Sequence, residues 1–287
     1  MFRFFLILIL QISLNCFAQL RPNYSTRLLS TSGSGVASIL VNESVFLNPA
    51  SIAFFDTTNF YIQNDKSEIT NENSRKSDET SNNNYLLLSD TSSDLKGALS
   101  YQEKSEFDLK NKKFVATGAG LLAGDSAIGF SYSYNQTEFE NKNELKHILT
   151  SGITYIKNEE LSFGILLTDL TKEIKENAKI VTGFQYKILP ILTFIFDVET
   201  NYYLDSSEYS GYRTALQSQF YDDFFLRIGK FDDGFLEQNG QSWGLSWYGP
   251  RLSLEYAYVH SKQKMDFGPF LKEDIIVDQS LSLSVRF

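Results

Sequence analysis

The sequence predicts an all-β chain, an antiparallel transmembrane β-barrel of about fourteen strands preceded by an N-terminal segment that is not itself strand-like. Three observations lead there. From residue 57 onward, apolar and small or polar residues alternate with period two. The connections between these runs are long and polar at one end and tight at the other. The chain opens with an export signal, yet no later apolar run reaches the roughly 20 residues of a membrane helix. Of the two structures that satisfy every backbone group in lipid, only the barrel is left.

The alternation is regular enough to place strands. Ile128, Phe130, Tyr132 and Tyr134 interleave with Ala127, Gly129, Ser131 and Ser133. Trp243, Leu245 and Trp247 flank Gly244 and Ser246. Runs of this kind give fourteen segments: 57–63, 84–90, 95–103, 112–122, 125–135, 145–156, 160–168, 178–187, 191–200, 210–220, 223–231, 241–248, 251–260 and 277–287. An even number suits a single-chain bacterial barrel. The tight connections include 123–124, 221–222 and 249–250, and the polar ones include 64–83, 136–144 and 169–177. Segment 64–83 is charged, rich in Asn and Ser, and reads as a mobile outer loop. The short-turn side is expected to be periplasmic, with both ends of the barrel domain on it.

Composition excludes several classes. The formal net charge is −9, which argues against nucleic-acid binding, since that needs basic faces. Residues 1–18 read as a signal peptide: Arg3, the apolar run Phe4–Leu10, and small residues before a cut after Ala18. Cys16 is the only cysteine, so the exported chain builds no disulfide framework.

A soluble β-sandwich would also alternate, but its polar face meets water and carries many Lys and Glu. Here the second face carries Gly, Ala, Ser and Thr with scattered charges: Lys179, Asp197, Glu199, Arg213, Arg227 and Glu255. That suits a barrel lumen. Tyr101, Tyr134, Tyr155, Tyr186, Tyr212, Trp247 and Tyr258 lie near strand ends, as interfacial girdles require. The closing run Leu281–Phe287 puts Leu281, Leu283, Val285 and Phe287 toward lipid and Ser282, Ser284 and Arg286 inward. A last strand ending in Phe287 resembles the signal that such barrels present to their insertion machinery.

Residues 19–56 behave differently. Gly33 and Gly35 permit left-handed or tight backbone. Pro49 cannot donate to a ladder, and Asn48 before it can bond nearby backbone and hold a turn. The stretch from Ser32 to Ala53, closing on "NPASIA" at 48–53, resembles the N-terminal signature of the FadL-like superfamily of outer-membrane transport proteins. Fatty-acid transporters and the PorV-type secretion proteins belong to that superfamily. The resemblance implies that 19–56 enters the lumen as a plug, with Gly33, Gly35, Asn48, Pro49 and Ala50 in it, ahead of a fourteen-stranded barrel at 57–287. It further implies an outer-membrane location in a Gram-negative bacterium, with outer-membrane lipid and the insertion machinery as partners. The outer connections here are short and hydrophilic, whereas fatty-acid transporters carry extended apolar capture loops. The fold is therefore implied more strongly than the substrate.

Chemistry for an enzyme is missing from the sequence. His147 and His260 stand far apart with no ligand spacing, and the glycines of "TGAGLLAGDS" at 117–126 lack the Lys of a phosphate loop. No metal, cofactor or catalytic residue is expected. Two functional expectations follow. One is a channel or transporter for small hydrophobic or amphipathic molecules, gated by the plug. The alternative is a scaffold barrel that self-assembles as a homo-oligomer or docks a secretion partner.

Overall fold

The computed structural model describes residues 24–40, 42–71, 79–92, 96–106, 109–139, 142–174, 177–203, 210–234, 236–266 and 271–287. The signal-peptide reading of residues 1–18, with Arg3, Cys16 and Ala18, lies outside them, as do residues 19–23.

The fourteen strands are β1 Thr58–Asn71, β2 Glu79–Asp90, β3 Lys96–Glu106, β4 Leu109–Ala123, β5 Ser126–Phe139, β6 Lys142–Ile156 and β7 Leu161–Leu167, followed by β8 Lys179–Leu189, β9 Leu192–Asn201, β10 Ser210–Phe220, β11 Phe224–Asp233, β12 Gln238–Tyr248, β13 Leu252–Asp266 and β14 Leu271–Arg286. Each pairs antiparallel with its neighbours in the chain, and β1 closes on β14. The closing ladder sets Phe60 opposite Val285 and Ile62 opposite Leu283. The last amide, Phe287 N–H, donates to the Thr58 carbonyl at 2.9 Å. Closure leaves no strand edge with unpaired backbone groups.

Period two then sorts the side chains. Along β12, Gly240, Ser242, Gly244 and Ser246 are buried, while Trp243 and Leu245 are exposed. Leu99 is 63% exposed, Leu122 64% and Leu281 58%. An apolar belt of this extent has no covering layer among the described residues, as a face turned toward hydrocarbon requires. Across the belt Trp243 stacks on Tyr258, ring centroids 5.8 Å apart, as cross-strand neighbours do.

Two expectations need correction. Segment 64–83 is not simply a mobile loop: β1 runs to Asn71 and β2 starts at Glu79, paired from Thr58↔Asp90 to Ile69↔Glu79. Likewise β5 and β6 extend to Phe139 and Lys142. These extensions escaped notice because both their faces are polar, and without apolar alternation the period-two signal vanishes. The ladder continues beyond the belt, where water can solvate either face. The contrast between the two ends is therefore partly one of strand length. At one end turns are tight, such as 124–125 and 190–191, and at the other the hairpins project unequally. The β7–β8 connection keeps real loop structure, with Asp169 buried at its centre and accepting from the Ile174 amide at 2.6 Å.

A charge on the outward face tests the belt. Leu245→Arg should destabilise the barrel by about 2–4 kcal/mol in lipid vesicles, the cost near a bilayer midplane. Reversible denaturant titration followed by tryptophan fluorescence measures it. The same substitution at exposed Asn239, beyond the belt, should cost little.

Candidate functional site

Residues 24–40 and 42–57 run through the barrel interior. Helix α1, Thr26–Ser30, starts at Ser25, whose hydroxyl accepts from the Leu28 amide at 3.1 Å. It ends where Ser32 and Gly33 adopt positive φ, and the Gly33 amide donates to the Leu28 carbonyl at 2.6 Å. The side chains of α1 reach one side of the wall. The Thr26 and Ser280 hydroxyls lie 2.7 Å apart, and those of Ser32 and Ser242 lie 2.8 Å apart. The Ser242 hydroxyl donates to the Ser30 carbonyl at 3.0 Å.

The chain then crosses to the opposite wall. Gly35 has φ of 149°, a conformation that L side chains rarely adopt. There the Gly35 and Val36 amides donate to one Asp197 carboxylate oxygen at 2.6 and 3.0 Å. The Ser162 hydroxyl donates to the Ala37 carbonyl at 2.8 Å, and the Ser38 hydroxyl to Gln185 at 2.9 Å. A short helix α2, Glu43–Phe46, precedes a 3-10 helix at Pro49–Phe54. Asn48 caps the latter: its carbonyl oxygen accepts from the Ala50 amide at 3.1 Å, and its amide donates to Val36 O at 2.7 Å and Thr154 Oγ1 at 3.0 Å. The proline supplies its first residue, where no N–H is needed. Val45, Ile52 and Ala53 join Tyr61, Tyr85, Leu87 and Val115 of β1, β2 and β4 in an apolar cluster, with Phe46 stacked on Tyr85 at 4.2 Å.

The wall is cut to take this backbone. Gly129 sits opposite Gly152 across β5 and β6, and Gly164 opposite Gly183 across β7 and β8. A Cβ on Gly129 would collide with the Pro49–Ala50 peptide, one on Gly152 with the Asn48 side chain, and one on Gly164 with the Val36 carbonyl. Across the lumen, a Cβ on Gly229 would lie 2.7 Å from the Thr31 carbonyl carbon, and one on Gly244 would strike Ser30. Gly118 and Gly120, on the outward parity of β4, meet nothing closer than 4.0 Å.

The charged residues expected in the lumen face inward, and all but Asp197 fall into two groups. In the first, Arg213 donates to Glu199 at 2.8 Å, to Asp233 at 2.9 Å and to the Ser32 carbonyl at 3.2 Å. Lys179 stands 3.6 Å from Glu199 and 3.7 Å from Asp233. The Arg213 guanidinium also lies over the Tyr24 ring, 5.5 Å from its centroid. Burial pushes the Tyr24 phenol well above its ordinary value, against the pull of Arg213, so it stays neutral. In the second group, toward the tight turns, Arg227 is fully buried. It donates to Gln217 at 2.7 Å, Ser246 at 2.5 Å and the Tyr248 hydroxyl at 3.1 Å, and Tyr248 in turn donates to Glu255. Asp197 joins neither group through an ion pair among the described residues; it accepts from the two backbone amides of the inner segment.

Sequence reading missed Asp233, Tyr24 and the part the inward glycines play in seating the inner backbone. Asp233 lay in a stretch read as loop. The glycines carried a usable signal: Gly inside a strand marks a bulge or a close backbone approach. The two histidines are outward strand residues, and the His147 ring nitrogen lies 2.5 Å from the Tyr132 hydroxyl. Among the described residues no group of three or more His, Cys, Asp or Glu is arranged to hold a metal ion.

Between the inner segment and the long-hairpin end lies a cavity of ≈ 100 Å³. Tyr24, Leu29 and Gly33 contribute to it from the inner segment, and β1–β3 and β10–β14 from the wall.

The closed barrel has solved counterparts. The toluene transporter TbuX of Ralstonia pickettii superimposes with a TM-score of 0.73 over 93% of this chain and 99% of its own, at 8% identity. The Pseudomonas putida toluene transporter TodX gives 0.72 over 92% and 98%, at 10% identity. The CymD monoaromatic hydrocarbon channel gives 0.71 over 91% and 97%, at 11% identity. The chain has the fold of these transport barrels. No protein-family model matches it, and no curated protein matches it in sequence. At such identities the shared property is the transporter-type fold; the residues within the lumen are this chain's own.

Filling the wall's glycine seats tests the docking. Gly164→Leu should displace Val36 and speed amide hydrogen exchange at Gly35 and Val36 by about tenfold or more, the equivalent of losing one charge-assisted hydrogen bond. Gly120→Leu, on the outward face, should leave that exchange unchanged.

Proposed function

We propose that this chain is an outer-membrane channel or transporter of FadL-like type in a Gram-negative bacterium. In this reading it conducts small hydrophobic or amphipathic molecules, and residues 19–56 act as its plug. The observation that carries the reading is the seating of Gly35–Val36 and Asn48–Ala50 on opposed glycine pairs of the wall. Backbone in contact with backbone closes the gap between segment and wall along β5–β8, and in this reading passage requires the segment to shift. Gly33 and Gly35 give the turn its geometry, Asp197 holds its two amides, and Asn48 ties the Pro49–Phe54 turn to Thr154.

The hold is built to be reversible. The polar ties of 24–40 to the wall are hydrogen bonds of hydroxyls, amides and carboxylates, each worth about 0.5–1.5 kcal/mol net, or 1.5–3 when charged. Lys179, Glu199, Arg213 and Asp233 pair within the wall, and Arg227 reaches Glu255 through Tyr248. These charges keep their wall partners when the segment moves, while Asp197 gives up its two amides; breaking a buried ion pair would cost far more than a neutral bond. The tight-turn end and both termini are taken to be periplasmic, and Phe287 to be the residue read by the insertion machinery. The transport reading is preferred to the docking scaffold because the solved barrels of this fold are named as transporters and channels.

Removing the segment tests the plug directly. Deletion of residues 32–53 should raise single-channel conductance in planar bilayers from near zero to a steady open level, with the barrel still resistant to detergent. A deleted protein that conducts no more than the intact chain would contradict the plug.

A further inference from the structure

The cavity between the inner segment and the hairpin end has two unlike halves. One half is apolar: Leu29 and Tyr24 on the inner segment, with Phe231, Leu236 and Val259 on the wall. The other half is polar, with Asp65, Asn83 and Asp278 from β1, β2 and β14. The cations that line it are already committed. Arg213 is held by Glu199 and Asp233, and Lys104 lies 2.7 Å from Glu106. Asp65 differs. It accepts from two neutral amides, Gln63 at 2.7 Å and Asn83 at 2.7 Å, and among the described residues no ion pair reaches it. The volume, ≈ 100 Å³, is of the order of the ~150 Å³ void that takes a benzene ring.

From this juxtaposition we propose that the cavity is a binding chamber for a small amphipathic molecule with a ring-sized apolar body and one hydrogen-bond donor, preferentially a cationic amine. The inference deepens the transport reading and rests on it for its biological meaning. The apolar body lies on Leu29, Leu236 and Val259, and the donor end meets Asp65. A pure hydrocarbon fills the apolar half but strips water from the Asp65 carboxylate and returns nothing to it, which costs free energy. A carboxylate ligand meets like charge. A protonated amine forms a charge-assisted hydrogen bond with Asp65, the strongest contact on offer. The chamber therefore discriminates against the unsubstituted hydrocarbons that the solved toluene transporters are named for.

A matched set of probes decides the matter: benzylamine, benzyl alcohol, toluene and benzoate, bound to the full protein in detergent micelles. Saturation-transfer NMR, with empty micelles as blank, reads the affinities at neutral pH, where the amine is protonated. Benzylamine should bind about tenfold more tightly than toluene, the worth of one charge-assisted hydrogen bond, with benzyl alcohol between them and benzoate weakest. Asp65→Asn should bring benzylamine down to the level of benzyl alcohol while toluene stays the same, and Leu236→Ser should weaken all three binders together. Toluene binding as tightly as benzylamine, benzoate binding as tightly, or no probe binding would each overturn the chamber. The plug is judged separately, by conductance of the 32–53 deletion. The probe ranking can hold while that test fails, or fail while it succeeds.

Discussion

Everything in this molecule follows from the join between its first and last strands. In hydrocarbon no water is present to take a free N–H or C=O, so a sheet survives only without edges. Pairing of β1 with β14, from Asn59↔Arg286 to Asn71↔Asp274, removes the last two edges. Once the ring is shut, every strand has one face outside and one inside. The alternation that makes Leu281 exposed makes Ser280 and Ser282 buried. The lumen is then a space that must be filled with water or with chain, and here residues 24–40 and 42–54 occupy its middle.

The way the segment fits explains features that are otherwise costly. Glycine in a strand interior loses conformational entropy and packs nothing. This wall nonetheless has Gly129, Gly152, Gly164 and Gly183 on four successive strands, each inward. They lower the wall by one side chain where the inner backbone passes, and Asp197 and Thr154 beside them offer acceptors to that backbone or its side chains. Apolar packing on Tyr61, Tyr85 and Leu87 anchors the 3-10 helix, and the Gly35 turn combines the packing of Val36 on Leu166 and Val181 with two hydrogen bonds to Asp197.

The barrel was legible in the sequence wherever one face met lipid. All fourteen strands stand where the alternation put them, because burial in hydrocarbon imposes period two. Where strands project beyond the belt, as in Asn64–Asn71 or Lys142–Lys146, both faces are wet and the pattern says nothing. The inner segment was legible through Gly33, Gly35, Asn48 and Pro49, whose backbone demands are local. The inward direction of Lys179, Asp197, Glu199, Arg213, Arg227 and Glu255 followed from parity alone. Their partners did not, because pairing depends on register across several strands. Arg213 meets Asp233 from the adjacent strand, and Arg227 reaches Glu255 only through Tyr248.

The account stands on the inner segment lying against the wall within a closed barrel. Ser32 and Ser242, with hydroxyls 2.8 Å apart, are separated by 210 positions in sequence. The most direct measurement places cysteines at both, Ser32→Cys with Ser242→Cys, in a Cys16→Ser background so that no other thiol is present. Mild oxidation of the protein in native membranes should join them, and protease fragments should stay linked until reductant is added. Two free thiols, in a barrel that otherwise migrates as folded, would mean that the segment lies elsewhere.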